Sequence, residues 1–200
     1  MNQLKVLLLV LLLAGCATTP GPVRVTSTAD LPSEADLPER WQLTGRISLT
    51  QGETGWHAGV DWLEQADSFR LRVSGPLGQG GFLLTGNGEG VLLLDSARQT
   101  HAAADTDTLL TQVTGWVLPV DGMRYWVRGI PGPNAVFEAQ IDAAGRLEQL
   151  IQDGWTIRFT RYHLTGGGRW PARLSLDRDD IHVRLLIDKW QLGQQPVAVP

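Results

Sequence analysis

The sequence predicts a mainly β protein, built as a curled sheet or incomplete, half-open antiparallel barrel of about eleven strands with a helical insert. Apolar and polar residues alternate along most of the chain after Trp41, which is typical of half-buried strands. The strand patterns are separated by turns too short for parallel crossovers, so consecutive strands pair antiparallel. So many strands do not remain one flat sheet, and we therefore expect the sheet to curl or partly close.

The N-terminus has the pattern of a bacterial lipoprotein signal peptide. Lys5 makes the first residues weakly positive, and the apolar run at 6–14 is shorter than the roughly 20 residues that span a bilayer. The cleavage region reads LAGC and ends at Cys16, which is the only cysteine and has no disulfide partner. We predict a signal peptide at 1–15 and lipidation of Cys16, against the alternative of an ordinary signal peptide with an incidental cysteine.

The segment at 16–38 is rich in Pro, Ser, Thr and Ala, and this composition is typical of a flexible tether. Ala17 follows the cysteine and is compatible with onward transport to the outer membrane, which an aspartate there would disfavour. Ser33 is placed to cap a short helix in PSEADLPERW. The folded domain is expected at 39–192, with a tail at 193–200.

Six strand patterns precede the helical insert. They read WQLTGRISL, WHAGVDW, FRLRV, FLLTG, VLLLD and QTHAAA. The alternation turns one set of apolar residues inward, including Trp41, Leu43, Ile47, Leu49, Trp56, Ala58, Val60, Trp62, Phe69, Leu71 and Val73. Between the third and fourth patterns, the turn carries Leu77 where Gly, Asn, Asp or Ser is usual.

The insert has helical periodicity. In DTDTLLTQVTGWVLP, one apolar face contains Leu109, Leu110, Val113, Trp116 and Val117. This spacing predicts an amphipathic helix that is capped by Asp105 or Thr106 and closed by Pro119. A second short helix is expected in VDGMRYWVRG, ending at Gly129.

Five more strand patterns follow: AVFEAQID, RLEQLIQ, WTIRFTRY, WPARLSLD and IHVRLLIDKW. The turn DAAG joins the first two as a hairpin. A barrel of more than about eight strands encloses a cavity, and the helical insert would cover it with its apolar face. The pattern therefore indicates a hollow β structure with a helical lid.

Composition and motifs give no support for catalysis or nucleic-acid binding. The net charge is −4 with a pI near 5.5, and no Lys/Arg cluster offers a footprint for phosphate backbones. G-x-S-x-G and H-E-x-x-H are missing from the sequence, and the four histidines show no metal-ligand spacing. GNGEG connects two strands rather than opening a helix, so it makes no phosphate cradle. We expect no enzyme activity, no cofactor and no metal.

The eight tryptophans are the unusual feature that remains. Any one of them is best explained as core, yet together they suit an apolar ligand cavity lined by large, rigid side chains. The candidate lining residues are Trp41, Trp56, Trp62, Leu71, Trp116, Trp126, Trp155 and Ile157.

Several segments carry a family resemblance: TGRISL, GPLG, TGWVLPVDGMRYWVRGIPGP, QDGWTIRFTRY, WPARLSL and LLIDKW. Across 41–190 the chain resembles the LolB family of outer-membrane lipoprotein receptors. The resemblance implies an incomplete barrel of about eleven strands with a hydrophobic cavity under a helical lid. It also implies a task, namely accepting mature lipoproteins from the periplasmic carrier LolA and inserting them into the inner leaflet of the outer membrane.

The same resemblance assigns roles to particular residues. The turn Pro76, Leu77 and Gly78 would touch outer-membrane phospholipid. The lining residues, which are selected by alternation alone, would contact acyl chains of the cargo. The receptor would be a monomer, lipid-anchored at the periplasmic face of the outer membrane. Met123 departs from the family pattern, since an aliphatic residue often stands there, but the change conserves volume.

Three alternatives stay open beside this interpretation. A structural or assembly lipoprotein of the outer membrane would have the same tether over a filled core. A lipid or glycolipid carrier would use a related hollow fold. A lipoprotein hydrolase has the least support, because no catalytic constellation is present in the sequence.

Overall fold

The computed structural model describes residues 23–25, 31–76, 80–133 and 135–193. The signal peptide, Cys16, Leu77 and Gly78 lie outside these residues, as does the tail beyond Gly193. The strands are β1 (Val23–Val25), β2 (Trp41–Gln51), β3 (Thr54–Gln65), β4 (Ser68–Ser74), β5 (Gly81–Asn87), β6 (Gly90–Leu94), β7 (Thr100–Ala103), β8 (Phe137–Ile141), β9 (Leu147–Gln152), β10 (Trp155–Thr165), β11 (Gly168–Arg178) and β12 (Ile181–Leu192). The helices are α1 (Thr106–Thr114) and α2 (Val120–Trp126), with a short 3₁₀ helix at Glu34–Asp36.

All twelve strands form one antiparallel sheet in the order β1-β8-β9-β10-β11-β12-β2-β3-β4-β5-β6-β7. The last strand, β12, pairs with β2, and this contact joins the two halves that the helices separate in sequence. β1 and β7 are the two edges, and within the described part of the chain they do not pair with each other. The prediction of six strands, two helices and five strands in an open antiparallel sheet is confirmed.

The twelfth strand comes from the segment predicted to be a tether. β1 pairs with β8, with Val23 opposite Ile141 and Val25 opposite Ala139. Val25 and Leu31 are both buried in the core, so the structure differs from an unstructured linker at these points. Their burial depends on contacts with distant parts of the chain, such as β8. The composition of the segment itself does not reveal these contacts.

The short helix in this segment is present, and Ser33 is its N-cap residue. The backbone N–H and the hydroxyl of Ser33 both donate to one carboxylate oxygen of Asp36, at 3.0 and 2.7 Å. This satisfies a backbone donor that the helix start leaves free.

The inner face of the sheet follows the predicted alternation. One row of directly opposed residues crosses five strands, and each member is at most 2% exposed: Leu43, Trp62, Leu71, Leu84 and Leu93. Such cross-strand neighbours pack within about 5 Å of each other on one face. The core therefore lies between this face and the two helices.

The helices are shorter than predicted. α1 begins after Asp105, as expected, but ends at Thr114 rather than at Pro119. Gly115 adopts φ 75°, a left-handed conformation that favours glycine, and its N–H donates to the Thr111 carbonyl at 2.9 Å. Trp116 and Val117 therefore lie beyond the helix, and the prediction that they belong to its face is wrong.

α2 ends at Trp126, three residues before the predicted stop at Gly129. Irregular turns over 127–129 complete the segment, with Gly129 at φ 79°. Among the described residues, no helix is long and apolar enough to cross a bilayer.

Candidate functional site

The candidate site is the covered inner face of the sheet. The structure brings the eight predicted lining residues to this face or to its lid, and none of them lies on the outer face. Trp41, Trp62, Leu71, Trp126, Trp155 and Ile157 are buried in one continuous apolar cluster. Trp56 and Trp116 are half-buried and pack against the same cluster.

A group of four tryptophans fills the inner face where β3, β2, β12 and β11 lie side by side. The ring centroids of Trp41 and Trp62 are 5.5 Å apart, and those of Trp41 and Trp190 are 5.6 Å apart. Trp170 follows at 5.0 Å from Trp190. These spacings are those of favourable offset and edge-to-face aromatic pairs.

Trp170 and Trp190 were missing from the predicted lining set. Trp170 occupies an inward position of the alternation in β11, and this signal was available in the sequence. Trp190 is out of phase with the inward residues of β12, and a register shift between Ile187 and Lys189 turns it inward. The indole N–H of Trp190 donates to the Pro171 carbonyl at 2.8 Å, so this ring is satisfied without a ligand.

Another aromatic pair lies at the β2–β3 turn. Trp56 of β3 stacks on Trp116, with ring centroids 6.3 Å apart and an angle of 23° between the planes. The N–H of Val117 donates to the Gln51 side-chain oxygen at 3.3 Å. The chain after α1 is thereby held against the end of the β2–β3 hairpin.

Gln152 of β9 holds the other helix in place. Its side-chain oxygen accepts from the Trp126 indole and from the Gly132 N–H, both at 2.8 Å. Its amide nitrogen donates to the Gly132 carbonyl at 3.0 Å. Gln152 is almost fully buried, and both polar atoms of its side chain are hydrogen-bonded, so it ties the end of α2 and the chain after it to the sheet.

An ion pair closes the lid from the β3 side. Arg124 of α2 pairs with Glu64, and the Glu64 carboxylate also accepts from the Trp62 indole at 3.3 Å. The Arg124 guanidinium lies over the Phe69 ring, 5.4 Å from its centroid. Glu64 occupies an inward position of β3. An acidic residue at such a position could have indicated this contact from the sequence, but it was not used in the prediction.

A second arginine extends the contact to the segment before the sheet. Arg128 pairs with Glu34 of the 3₁₀ helix at 2.8 Å and stacks on Tyr125. The N-terminal segment is therefore attached to the lid as well as to β8.

Two carboxylates at the lid have raised pKa values. Burial raises the pKa of Glu64 despite the opposing effects of Arg124 and the Trp62 indole. Burial, and then the neighbouring Asp121 carboxylate, raise the pKa of Asp107 to about 6. The Asp107 carboxylate accepts from the Asp121 N–H at 3.3 Å, so it links the first turns of the two helices.

The side chains of this face and of its lid form one continuous cluster of buried apolar residues. Within the described residues, one buried side-chain polar atom has no hydrogen-bond partner, the indole nitrogen of Trp41. No group of three or more potential metal ligands occurs in the described part of the chain. The chemistry available at this face is therefore apolar burial, with a single free donor.

The turn predicted to touch the membrane is described only at its base. The Gly75 N–H donates to the Gly80 carbonyl at 3.3 Å, and Pro76 is exposed. Leu77 and Gly78 lie outside the described residues.

The fold places this chain in the class of open antiparallel half-barrels with a helical lid. A protein described as a LolA superfamily protein, from Nitrosomonas europaea, superimposes with a TM-score of 0.53 at 12% identity, over 86% of this chain and 96% of that one. A DUF1329 family protein from Desulfovibrio piger gives 0.53 at 6% identity, over 84% and 90%. At such identities the likeness shows the fold alone.

Sequence similarity, by contrast, identifies the family. Residues 39–190 match the model of the family described as outer membrane lipoprotein LolB, and the chain belongs to this family. The outer-membrane lipoprotein LolB of Stutzerimonas stutzeri is 34% identical, over 97% of this chain and 98% of that protein. The proteins of the same name from Nitrosococcus oceani and Pseudomonas aeruginosa are 34% and 38% identical, over 94% and 78% of this chain and 96% and 76% of theirs. The family assignment made from the motifs is confirmed.

Proposed function

We propose that this chain is the outer-membrane receptor that accepts mature lipoproteins from the periplasmic carrier LolA and inserts them into the inner leaflet of the outer membrane. Membership in the LolB family carries this proposal. The inner face supports it, because large apolar side chains lie under two helices, and polar contacts attach α2 to the sheet.

The physical task explains why such an interior is needed. Each buried methylene contributes about 0.8 kcal/mol, so one long acyl chain exposed to water costs on the order of 10 kcal/mol. A carrier and a receptor that each shield the acyl chain can pass it on without exposing it. Direction then needs only a higher affinity in the receptor, about 1.4 kcal/mol for each tenfold ratio.

Because residues of α1 and α2 pack on the inner face, acyl chains would enter by displacing the lid. The acyl chains would replace contacts that Trp126, Val120 and Met123 make with the sheet in the closed state. The free indole N–H of Trp41 would then be a donor available to an ester or amide carbonyl of the cargo. Transfer is a binding process in this scheme, and no residue performs covalent chemistry.

The test is transfer of a labelled lipoprotein from loaded LolA to the mature chain carrying Cys16→Ala, which has no acyl anchor of its own. The label is expected to move to the receptor without nucleotide. If the label stays on the carrier, the receptor function is wrong. Uptake of a hydrophobic fluorescent probe without transfer would instead favour the lipid carrier, and neither signal would favour a structural lipoprotein.

We further propose that Leu77 at the tip of the 75–80 turn enters the acyl boundary of the bilayer during delivery. Full burial of a leucine side chain contributes about 1.5 to 3 kcal/mol. Leu77→Glu should leave acceptance from the carrier intact and slow insertion of the cargo into liposomes. The control is Ala143→Glu, which adds the same charge at an exposed position in the β8–β9 turn; equal insertion by Leu77→Glu and this control would remove Leu77 from the mechanism.

The membrane anchor is the remaining part of the proposal. Cys16 would carry the acyl chains that hold the protein at the periplasmic face of the outer membrane. Cys16→Ser should abolish incorporation of labelled palmitate and release the protein from the membrane fraction. Continued labelling of that variant would place the modification elsewhere.

A further inference from the structure

The charges of this protein are distributed unevenly. The six adjacent strands β10, β11, β12, β2, β3 and β4 contain ten of the 17 Lys and Arg residues but only four of the 21 Asp and Glu residues. The chain as a whole carries −4. The turns that join these strands add four acidic residues, Glu53, Asp67, Asp179 and Asp180, so this part of the sheet keeps a small positive excess within an acidic protein.

The outer face of these strands contains a groove of about 820 Å³. Two rows of paired outward residues cross it, Ser74–Gly59–Arg46–Leu186–Arg173 and His57–Ser48–Arg184–Ser175. The small residues leave space between the long side chains of Arg46, Arg173 and Arg184. The lining of the groove therefore includes three arginines and three serines, together with apolar residues such as Leu186 and Pro76.

The three guanidiniums are available to a ligand. Within the described residues, Arg173 and Arg184 have no acidic group within 4.0 Å. Arg46 contacts Asp188 at 3.0 Å, but the two side chains are 66% and 50% exposed, and exposed pairs of this kind contribute little. Three arginines this close, with one weak counterion, favour an anionic partner.

The groove continues into the base of the turn that carries Leu77. Ser74, Gly75 and Pro76 line its β4 side. Neighbouring strands lie about 4.8 Å apart, so Arg46 on β2 is about 10 Å from β4 and Arg184 on β12 about 15 Å. A surface that meets this turn from the outer face would also come near the arginines.

We propose that this groove binds phosphate headgroups of anionic phospholipids and holds the outer face of the sheet against the bilayer. Guanidinium groups bind phosphate oxygens through paired, charge-assisted hydrogen bonds, and serine hydroxyls add donors. Each basic residue near an anionic membrane strengthens binding about fivefold. This contact is separate from the acyl anchor and from Leu77, because it involves neither of them. It orients the receptor toward the leaflet that receives the cargo.

A bilayer fits these observations better than an acidic protein partner. The cations lie in a broad patch over several strands, and the groove has no apolar anchor residue comparable to the tryptophans of the interior. Protein interfaces depend on such buried aromatic anchors, whereas membrane contact needs charge spread over a surface.

The test is vesicle binding by the mature chain carrying Cys16→Ala, so that no acyl anchor contributes. Vesicles of phosphatidylglycerol with phosphatidylcholine are compared with vesicles of phosphatidylcholine alone. The added change Arg173→Gln/Arg184→Gln should weaken binding to the anionic vesicles about thirtyfold and leave the weak binding to neutral vesicles unchanged. High salt should remove the difference between the two proteins.

The matched control is Arg24→Gln/Arg98→Gln. It removes the same charge from two exposed arginines outside the six strands. This control should bind anionic vesicles within about twofold of the parent protein. Equal losses in control and groove variants would show a general charge effect, and no loss in the groove variant would show that the groove does not bind headgroups; either result overturns the proposal.

A cargo assay without vesicles separates this inference from the proposed receptor function. The groove variant should accept labelled lipoprotein from LolA as the parent does. If acceptance falls while vesicle binding is unchanged, the groove docks the carrier and the lipid proposal is wrong, although the receptor function stands. If neither protein accepts cargo, the receptor function fails independently of the vesicle result.

Discussion

The two lid helices are held by different kinds of contact. α1 carries its own start and stop signals, since the Asp105 carboxylate accepts from the Thr108 N–H at 2.7 Å and Gly115 closes the last turn. α2 begins at Pro119 without a side-chain cap. It is instead attached to the sheet through Arg124 and Trp126.

The difference indicates which helix depends on the rest of the molecule. A helix shorter than about 12 residues is marginal by itself, and α2 has only seven residues. Gly122 in its middle also lowers helix propensity, yet an added Cβ there would lie 2.7 Å from the Trp126 ring. α2 therefore exists because its side chains dock on the sheet, and loss of docking would free the lid at this helix first.

The largest effect should come from Trp126→Ala. It removes a fully buried ring and leaves the Gln152 side chain without one of its partners, so the free energy of unfolding should fall by about 4 to 5 kcal/mol. Denaturant unfolding measures this loss. Trp116→Ala, at a half-buried position after α1, should cost about half as much, and equal losses would contradict the distinction between the two helices.

Arg124→Met should have the next largest effect. It keeps the apolar stem but leaves the Glu64 carboxylate buried without a counterion, at a cost of about 3 kcal/mol at pH 8. The pKa of Glu64, already raised by burial, should rise further. Because the folded state then binds the proton more tightly than the unfolded state, stability should recover as the pH falls.

Glu64→Gln is the matched control for that variant. The introduced amide oxygen can still accept from the Trp62 indole, and Arg124 is 31% exposed and stacked on Phe69. The change in unfolding free energy should stay within about 1 kcal/mol. A loss as large as that of Arg124→Met would mean that the attraction within the pair outweighs the cost of burying the carboxylate.

A smaller effect than that of Arg124→Met, and of opposite sign, is expected at α1. The pKa of Asp107 is about 6 in the folded protein against an ordinary value of 3.8, so stability should fall as pH rises through this interval. Asp107→Asn removes the buried charge and should stabilise the protein by about 1 to 2 kcal/mol above pH 7, after allowing for the lost attraction to the helix N-terminus.

Thermal unfolding at pH 4 and pH 8 measures this dependence. Near pH 4 the Asp107→Asn variant and the parent protein should be close in stability, because the Asp107 carboxyl of the folded parent is protonated at that pH. An equal gain in stability of the variant at both pH values would show that the charge of Asp107 does not cause the gain.

The strands were predictable because their signal is local. Residues of β2, β3 and β4 alternate between one buried and one exposed face, and a period of two can be read without knowing the partner strand. The start of α1 was predictable for the same reason, from Asp105. Its end was not, because Trp116 and Val117 continue the apolar spacing although Gly115 has already ended the helix.

Contacts between distant segments were not predictable. Val25 belongs to the core only because β8 lies beside it. Its partner in β8 is Ala139, 114 residues further along the chain. Gln152 reads as an ordinary polar strand residue, although it holds Trp126 and the chain at Gly132. Glu64 was visible as an acid at an inward position, but its partner on α2 was not.

The sequence by itself determined the antiparallel strands, the helical insert, most of the inward aromatic residues and the family, because each rests on local periodicity or on motifs. The tertiary structure alone decided that α2 is held by Glu64 and Gln152, and that Arg46, Arg173 and Arg184 line one groove. These features need residues from strands far apart in sequence. Only the order of strands, with β12 beside β2, brings them together.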